Sequence, residues 1–394
     1  MTLILRKIQH RIKQTLKRGK SILLLGPRQT GKTTLMKELQ ADLYLNLANP
    51  KNRIAFDADP ARLTREVEAL YDEQNHVPFI IIDEVQKVPS LLDAVQDLID
   101  EKKGQFILTG SSARKLRRDG EANLLPGRVI VMRMDPLMLQ EMPQIPSIED
   151  LLIDGSLPGI VMQSSPELRQ EDLFSYVTTY LEEEVRAEAL TRHIGPFSQF
   201  LKLAALESGT NTHLQSLSQQ VGVTHHIIAE YFQILVDCLV AERIHPLSTS
   251  RTRKRLLKSP KYLLYDLGVR RVAAGEGRQF PDKYFGNLFE QWVGLEISRT
   301  LRLHPEKSEL MFWRDANGPE VDWIVERGGM YIPIEVKWSE NPSPKDAKHL
   351  NTFLNEYENT TMGYVICRTP RKQKLADRIL ALPWQEIHNV FLTK

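Results

Sequence analysis

Cysteine is scarce in this sequence, since only Cys238 and Cys367 occur in 394 residues. They lie far apart in apolar stretches and predict neither a disulfide framework nor a cysteine-type zinc site. Such sparse usage is typical of the reducing cytosol, where we expect the protein to work. Long apolar runs are also missing, because none approaches 18 residues, so we expect no transmembrane helix. The basic N-terminal segment lacks the apolar core of a secretory signal.

An excess of either charge sign is missing too, because 52 Lys and Arg residues are matched by 50 Asp and Glu residues and leave a net charge of +2. A balanced total argues against a polyanionic partner, but it can hide local clusters of one sign. The composition, with 42% hydrophobic and 26% charged residues, is that of ordinary globular proteins. The length predicts two to four domains.

Strand-like and helical patterns alternate over residues 1–150 and predict an α/β unit with a parallel sheet. Apolar strand runs occur at Ser21–Leu25 and at residues 79–82, 106–108 and 129–132. A helical pattern follows at residues 151–208. The C-terminal third predicts a helix, two strands joined by Gly328-Gly329, and a further helix and strand.

Residues 26–33, Gly-Pro-Arg-Gln-Thr-Gly-Lys-Thr, match the phosphate-binding pattern G-x-x-x-x-G-K-[ST]. The pattern lies between a predicted strand and a predicted helix, which is the context of a P-loop. Backbone N–H groups would hold the phosphates of ATP, Lys32 would reach the β- and γ-phosphates, and the Thr33 hydroxyl would bind Mg²⁺. The predicted nucleotide-binding residues of this loop are Gly26, Pro27, Arg28, Gln29, Thr30, Gly31, Lys32, Thr33 and Thr34.

A second motif consists of the apolar run 79–82 followed by Asp83 and Glu84, and it has the pattern of a buried strand that ends in two carboxylates. Ligands collect at this end of the strands in open α/β sheets. We expect Asp83 to hold Mg²⁺ through water and Glu84 to polarise the attacking water, which points to hydrolysis. Thr109 and Ser111 follow the next strand and are candidates for sensing the γ-phosphate. A plain turn is the alternative.

Arg128 is a candidate arginine finger, and Arg114, Arg117 and Arg118 compete for that role; a surface arginine is the alternative for each. Arginine-finger action requires a neighbouring subunit, so we expect a homo-oligomer, with a hexameric ring as one candidate. The motifs together resemble the AAA+ ATPases of bacteria and archaea that carry a C-terminal domain of uncharacterised function. The sequence departs from ordinary AAA+ proteins in its third-strand polar residue, which is Ser or Thr rather than Asn. It also lacks a secure second sensor arginine.

The segment 213–239 has the spacing of a helix-turn-helix, with a turn at Gly222 and a helix N-cap at Thr224. A hairpin candidate follows, formed by residues 242–247 and 256–265. We expect this winged helix-turn-helix to contact phosphates of nucleic acid, DNA rather than RNA. A solvated loop or a protein-binding winged helix is the alternative. The basic residues along the hairpin are Arg251, Arg253, Lys254, Arg255, Lys258 and Lys261.

The two strands around Gly328-Gly329 carry charged residues at alternating positions. A two-residue turn pairs residues whose numbers sum to 657, which sets Asp322 opposite Glu335 and Glu320 opposite Lys337. Opposed carboxylates destabilise a sheet unless a cation lies between them, and Mg²⁺ or Mn²⁺ suits such oxygen ligands. Alternation places these four residues on one face. The opposite face is expected to carry Val321, Trp323, Ile332, Ile334 and Val336.

The spacing of Asp322, Glu335 and Lys337 resembles the core of the PD-(D/E)xK nucleases, with a valine where that superfamily has proline. The resemblance implies that Asp322 and Glu335 bind metal and that Lys337 positions or activates water. It also implies a glutamate from the preceding helix, for which Glu290 fits best and Glu296 is a rival. The alternatives are a plain amphipathic hairpin and a nuclease-like fold that binds nucleic acid without cutting it.

The sequence as a whole predicts an ATP-hydrolysing AAA+ protein that binds and remodels or processes nucleic acid. Four units are expected: an AAA+ core (1–150), a helical lid (151–208), a winged helix-turn-helix (209–266) and a nuclease-like α/β domain (267–394). Two other function classes remain open. One is a DNA branch-migration or unwinding motor whose nuclease-like domain does not cut, and the other is a nucleotide-switched regulator that binds protein partners.

Overall fold

The N-terminal sheet contains five parallel strands, and it is seen in a computed structural model that describes residues 4–74, 76–112, 125–185, 194–248, 256–304, 306, 308–316 and 318–391. Its strands are β1 (Ser21–Leu25), β2 (Leu43–Asn46), β3 (Phe79–Asp83), β4 (Gln105–Gly110) and β5 (Val129–Arg133). They lie in the order β2-β3-β4-β1-β5. The predicted α/β class with a parallel sheet is confirmed. Strand β2 was not among the predicted strands.

Helices cover both faces of this sheet. They are α1 (Ile8–Lys17), α2 (Lys32–Lys37), α3 (Pro50–Ala58), α4 (Ala61–Glu73) and α5 (Leu91–Asp100). Alternate residues of β1 enter two different hydrophobic clusters, Ile22 and Leu24 in one and Leu23 and Leu25 in the other. A strand buried on both faces reads as a continuous apolar run, which is why β1 and β3 could be found from the sequence.

The middle of the chain is helical. Its elements are α6 (Ile148–Asp154), α7 (Pro158–Val161), α8 (Pro166–Tyr176), a π-helical stretch (Val177–Val185), α9 (Ile194–Leu206), α10 (Leu214–Val221), α11 (His225–Asp237) and α12 (Leu267–Ala273). The turn between α10 and α11 uses Gly222 at φ 75°, and the Thr224 side chain caps α11 by accepting from the Ile227 N–H. Helices α8 to α11 share one hydrophobic cluster, so the segments 151–208 and 209–266 pack as neighbours around a common core.

A second sheet of eight strands spans the rest of the chain. Its strands are β6 (Ala241–Pro246), β7 (Lys261–Leu264), β8 (Ser308–Arg314), β9 (Glu320–Arg327), β10 (Met330–Lys337), β11 (Gly363–Cys367), β12 (Gln373–Ala376) and β13 (Ile379–Pro383). They lie in the order β12-β13-β11-β10-β9-β8-β6-β7. Helices α13 (Asp282–Leu303) and α14 (Lys348–Glu356) contribute to two different hydrophobic clusters of this sheet. The pair β6-β7 joins the sheet through a parallel ladder between β6 and β8.

The register of the hairpin β9-β10 is the predicted one, since its five pairs run from Met330 opposite Arg327 to Ile334 opposite Trp323. The predicted faces are wrong at Val321. On the other side of β9 the register with β8 shifts, so that Asp322 and Trp323 together lie opposite Phe312. This β-bulge reverses the alternation. Val321 therefore packs in the cluster of α14, whereas Trp323 packs in the cluster of α13.

None of the helices in the described ranges is both long and apolar enough to cross a membrane.

Helix α13 offers a matched pair of glycines for a stability test. A Cβ at Gly294 would lie 2.6 Å from Cζ2 of Trp323, whose ring is fully buried, whereas a Cβ at Gly286 would meet only the Trp338 Cβ at 3.9 Å. Gly294→Ala should lower the free energy of unfolding by about 1–3 kcal/mol through overpacking. Gly286→Ala should raise it by about 0.5–1 kcal/mol, because alanine favours a helix. Urea unfolding midpoints test both, and a Gly294→Ala variant as stable as the parent would contradict the packing.

Candidate functional site

The loop between β1 and α2 has the backbone of a phosphate-binding site. Gly26 is required by close approach, because a Cβ there would lie 2.3 Å from the Met134 carbonyl oxygen. Gly31 adopts φ 96° immediately before α2, a left-handed conformation that glycine adopts without strain. The buried Lys32 ammonium donates to the carbonyl oxygens of Gly26 (2.7 Å) and Pro27 (2.9 Å). The Lys32 side chain thus lies across the loop in which it is predicted to bind phosphate.

Burial lowers the pKa of Lys32 to about 8, although the Glu84 and Asp83 carboxylates act in the opposite direction. A buried ammonium has lost most of its hydration, so its charged form is strongly stabilised when an anion such as phosphate binds beside it.

Asp83 lies at the end of β3 with three hydroxyl groups around its carboxylate. Its Oδ2 accepts from Thr33 (2.8 Å) and Tyr44 (3.1 Å), and its Oδ1 accepts from Thr109. Burial, reinforced by Asp83, raises the pKa of Tyr44. The Thr33 hydroxyl and the Asp83 carboxylate are adjacent oxygen donors of the kind that Mg²⁺ prefers, so they fit the predicted ion. Tyr44 was not predicted as a site residue, because the strand that carries it, β2, was not predicted either.

Glu84 follows in a left-handed turn at φ 62°, which directs the chain away from the sheet. Its N–H donates to Thr109 Oγ1 (3.1 Å), and its Oε2 accepts from Gln86 Nε2 (2.6 Å). The same Gln86 amide donates to Ser111 Oγ (3.1 Å). Of the two predicted sensor residues, Thr109 therefore contacts the carboxylate of Asp83, the predicted metal ligand, and Ser111 is connected to the carboxylate of Glu84, the predicted catalytic residue, through Gln86. The sequence did not single out Gln86.

Two residues outside the motif hold the loop in place. Arg6 donates to the carbonyl oxygens of Thr30 (2.5 Å) and Asp135 (2.7 Å) and forms an ion pair with Glu141 at 3.0 Å. Tyr176 donates to the Arg28 carbonyl oxygen at 3.2 Å. Among the other predicted loop residues, Thr30 Oγ1 donates to the Pro27 carbonyl, Gln29 adopts φ 60° and Thr34 is exposed on α2.

An apolar cavity of about 140 Å³ adjoins the start of α2. Gly31, Thr34 and Leu35 form its inner wall. At its rim Leu5 is 74% exposed and Met162 is 37% exposed. Large apolar side chains at the rim of a cavity favour a flat apolar ligand beside the phosphate loop.

Arg128 lies just before β5 in a two-point ion pair with Asp100, at 2.7 and 2.8 Å. Strand β5 is parallel to β1, so this position is at the opposite end of the strands from the phosphate loop of the same chain. Any action of Arg128 on a nucleotide would have to be on another copy. The competing Arg114, Arg117 and Arg118 lie outside the described residues.

A second polar site lies at the bulge of β9. Asp322 Oδ2 accepts from the Val336 N–H at 2.8 Å, so its carboxylate reaches across to β10. Lys337 donates to Glu335 Oε1 at 2.6 Å, while Glu335 Oε2 is buried and finds no hydrogen-bond partner among the residues that the structure describes. Glu320, expected opposite Lys337, forms an ion pair at 3.1 Å with Arg314, the residue opposite it on β8.

The carboxylates of this site destabilise one another. Burial, then Glu335 and Glu290, raise the pKa of Asp322 well above its ordinary value. Burial also raises the pKa of Glu335 to about 7, against the effect of Lys337. Burial alone would lower the pKa of Lys337, but Glu335 and Asp322 raise it. Two neighbouring carboxylates of raised pKa, one of them with an oxygen that has no partner among the described residues, are oxygen donors of the kind that a divalent cation prefers.

The expected three-carboxylate set is not assembled. Glu290 lines the same cavity as Asp322, but its Oε1 accepts from Lys261 Nζ at 2.8 Å. Within the described ranges no group of three His, Cys, Asp or Glu side chains is arranged to hold a metal ion. The rival Glu296 is buried elsewhere, where its Oε1 accepts from the Leu139 N–H and burial raises its pKa to about 7.

The position of Lys261 differs from the one expected from the sequence. It was predicted as a phosphate contact on an exposed hairpin, but it is 8% exposed on β7, because the β6-β7 pair is part of the large sheet. Lys258 is exposed. The remaining basic residues of that prediction, Arg251, Arg253, Lys254 and Arg255, lie outside the described residues.

Three families match successive parts of the chain. Residues 18–143 match a family described as an AAA domain. Residues 145–279 and 285–387 match two families that are each described as a domain of unknown function.

Whole-chain relatives carry no assigned function. Uncharacterized proteins of Mycobacterium bovis and Mycobacterium tuberculosis are each 24% identical over 380 residues, which cover 96% of this chain and 83% of the relative. Among solved structures, the Aeropyrum pernix ORC1 protein in complex with DNA is 13% identical, with coverage of 70% of this chain and 93% of that chain at a TM-score of 0.30. A Thermotoga maritima RuvB is 17% identical, with coverage of 61% and 90% at a TM-score of 0.27. The chain thus contains an AAA domain at residues 18–143, followed by two domains of unknown function.

Proposed function

We propose that the AAA domain binds and hydrolyses ATP with Mg²⁺. The observation that carries this proposal is the phosphate loop, with its buried Lys32 ammonium, beside the Thr33 hydroxyl and the Asp83 carboxylate. The ammonium would exchange its bonds to the Gly26 and Pro27 carbonyls for the β- and γ-phosphates. The apolar cavity next to α2 would take the base, which would cover Leu5 and Met162.

Hydrolysis would use Glu84 as the base. In this step a water oxygen attacks the γ-phosphorus, Glu84 takes the proton of that water, and ADP leaves. The hydrogen bond from Gln86 holds the Glu84 carboxylate. Thr109 bonds both Asp83 and the Glu84 N–H, so a change at the γ-phosphate that moves Asp83 would also move Glu84.

Arg128 would supply positive charge to the ATP of a neighbouring copy, which makes the active form a homo-oligomer. Its ion pair with Asp100 is exposed, and exposed pairs contribute little to stability, so it can be exchanged for a phosphate at low cost. In a closed hexameric ring, every subunit would receive Arg128 from one neighbour.

The rest of the chain would bind nucleic acid, DNA rather than RNA. It would bring this ligand to the cavity that is lined by Asp322 and Glu290, which we call the carboxylate cavity. Helices α10 and α11 with the β6-β7 pair would form the winged helix-turn-helix, and residues 267–394 the nuclease-like domain. Asp322 and Glu335 would hold Mg²⁺ or Mn²⁺, and Lys337 would position water at the scissile phosphate. The proximity of the Asp322 and Glu335 carboxylates, and the Glu335 Oε2 without a partner among the described residues, support this proposal.

A second candidate is a DNA-remodelling motor with a non-cutting nuclease-like domain. The ion pair between Glu290 and Lys261 favours it, because the third expected metal ligand is engaged by a cation. ATP-dependent strand displacement that survives loss of Asp322 would distinguish the motor from the nuclease.

The rate of ATP turnover tests the proposed ATPase activity. Lys32→Ala should abolish it, and Glu84→Gln should lower kcat by about 100-fold or more while nucleotide binding persists. Lys37→Ala, at the exposed end of α2, is the matched control and should leave turnover unchanged. Phosphate release measures all three. Turnover that persists in Lys32→Ala would overturn the ATPase assignment.

Proton uptake tests the state of Lys32. Because its pKa in the free protein is about 8, about half of the lysines are neutral at pH 8, and a bound phosphate should restore the charge. Nucleotide binding should therefore take up protons at pH 8–9, and affinity should fall as the pH rises above 8. Titration calorimetry in two buffers of different ionisation enthalpy measures the uptake. Lys32→Arg stays charged and should show none; equal uptake in both proteins would contradict the prediction.

Cleavage tests the carboxylate site. Asp322→Asn and Glu335→Gln should each lower Mn²⁺-dependent cleavage of DNA by more than about 100-fold and leave ATP turnover intact. Glu326→Gln, the same charge change further along β9, is the control. Gel assays on single-stranded, duplex, forked and four-way DNA measure it. If the unaltered protein cuts none of them with Mg²⁺ or Mn²⁺, the nuclease proposal fails.

A further inference from the structure

Helix α1 presents a basic face to the solvent. Residues 1–37 contain ten Lys and Arg residues and no Asp or Glu residue, so the remainder of the chain is net acidic. Some of these cations serve the phosphate loop, whereas four are exposed on α1 and in the turn that follows it. These four residues, which we call the basic α1 face, are Lys13, Lys17, Arg18 and Lys20.

The fold holds α1 in one orientation. Its buried residues Ile8 and Ile12 pack in the same hydrophobic cluster as one side of β1. The Gln105 side chain of β4 donates to the carbonyl oxygens of Leu16 (2.7 Å) and Lys20 (3.2 Å), which attaches the turn after the helix to the sheet. The basic α1 face therefore points away from a helix that is fixed at both its apolar side and its end.

The charges of the basic α1 face are not neutralised within the chain. None of its four cations forms an ion pair with a carboxylate in the ranges that the structure describes, whereas surface lysines such as Lys103 and Lys374 do. Lys13 and Lys17 are four residues apart on the helix, a spacing at which like charges repel one another. A polyanionic ligand would relieve this repulsion.

The spacing of the four cations suits a phosphodiester strand. Residues 13–20 span about 10 Å if each contributes the rise of an α-helix. A strand of duplex DNA carries one phosphate for about every 3.4 Å of helix axis. The basic α1 face can therefore contact several successive phosphates.

An anionic membrane surface is the other polyanion to consider. An amphipathic helix that binds a membrane inserts its apolar side among the lipids. The apolar side of α1 is already buried, since Ile8 is 5% exposed and Ile12 is fully buried against the sheet. The packing of α1 therefore favours nucleic acid over lipid.

The helices of the predicted helix-turn-helix offer no comparable contact. Residues 203–242, which include α10 and α11, contain no Lys or Arg residue. Glu230 is exposed on α11, and its carboxylate would repel phosphates. Because phosphate contacts hold a protein in position on nucleic acid, the cations for them have to come from other surfaces of the chain.

We propose that the basic α1 face contacts the phosphodiester backbone of nucleic acid, so that the AAA domain itself takes part in binding it. The inference rests on the proposed nucleic-acid function and names a surface for it. Arg6, two residues before α1, donates to the Thr30 carbonyl of the phosphate loop. The nucleic acid would thus lie along the helix whose N-terminal side adjoins the nucleotide site.

The salt dependence of DNA binding tests this contact. Each phosphate contact that is lost reduces the slope of log affinity against log salt by about 0.7–0.9. Lys13→Gln/Lys17→Gln should therefore reduce the slope of the full-length protein by about 1.4–1.8, and Lys13→Arg/Lys17→Arg should keep the parental slope. Fluorescence anisotropy of labelled duplex and single-stranded DNA measures the affinities, and circular dichroism verifies folding.

The matched control makes the same charge change on other helices. Lys51→Gln/Lys202→Gln alters exposed lysines of α3 and α9 and should keep the parental slope. An equal reduction in this control would overturn the inference, because it would show a response to total charge rather than to α1. If Lys13→Gln/Lys17→Gln fails to fold, Arg18→Gln/Lys20→Gln gives the same readout on the other half of the face.

The remaining outcomes separate this inference from the proposed function. A parental slope in folded Lys13→Gln/Lys17→Gln would overturn the inference and leave the proposed function standing. DNA binding that is absent or salt-insensitive in the unaltered protein would overturn both. Co-sedimentation with vesicles of phosphatidylcholine and phosphatidylserine that is lost in the variant, while its DNA slope stays parental, would assign the face to lipid instead.

Discussion

A buried cluster of charges around Asp135 connects the parts of this molecule. Asp135 follows β5 and forms ion pairs with Arg133 (2.7 Å) and with Arg302 of α13 (2.9 Å). Glu242 of β6 pairs with the same two arginines. Burial alone would raise the pKa of Asp135, but the surrounding guanidinium groups hold it below its ordinary value. Removing one member would leave an uncompensated buried charge, so the cluster fixes β5, β6 and α13 relative to one another.

Helix α13 extends this connection to both candidate sites. Near its C-terminal end Arg299 donates to the carbonyls of Leu137 and Tyr265, and Glu296 accepts from the Leu139 N–H. Residues 135–141 in turn bind Arg6, which holds the phosphate loop at Thr30. Two turns toward its N-terminus, the same helix carries Glu290. Buried polar contacts therefore connect the phosphate loop to α13, and the helix itself continues from there to Glu290.

Local signals identified much of this from the sequence. The phosphate loop, the Asp83-Glu84 pair and the register of β9-β10 each depend on residues close together in the chain, so spacing was sufficient. The bulge at Asp322 depends on a shift in the register between β8 and β9, which no motif in the sequence marks. Lys261 was misplaced because its charge suggested a surface, whereas its burial depends on β8, some fifty residues later. Arg6, Tyr44 and Gln86 act through contacts between distant parts of the fold or outside the motifs, which no sequence pattern marks.

The parallel ladder between β6 and β8 limits which segments of this protein could have been exchanged independently during evolution. The matched families meet between residues 279 and 285, yet the sheet crosses that boundary through the pairs His245–Met311 and Pro246–Phe312. Exchange of the last segment with an unrelated chain would leave β6 with a bare edge and the β6-β7 pair without its sheet. The second and third segments are therefore expected to be inherited together.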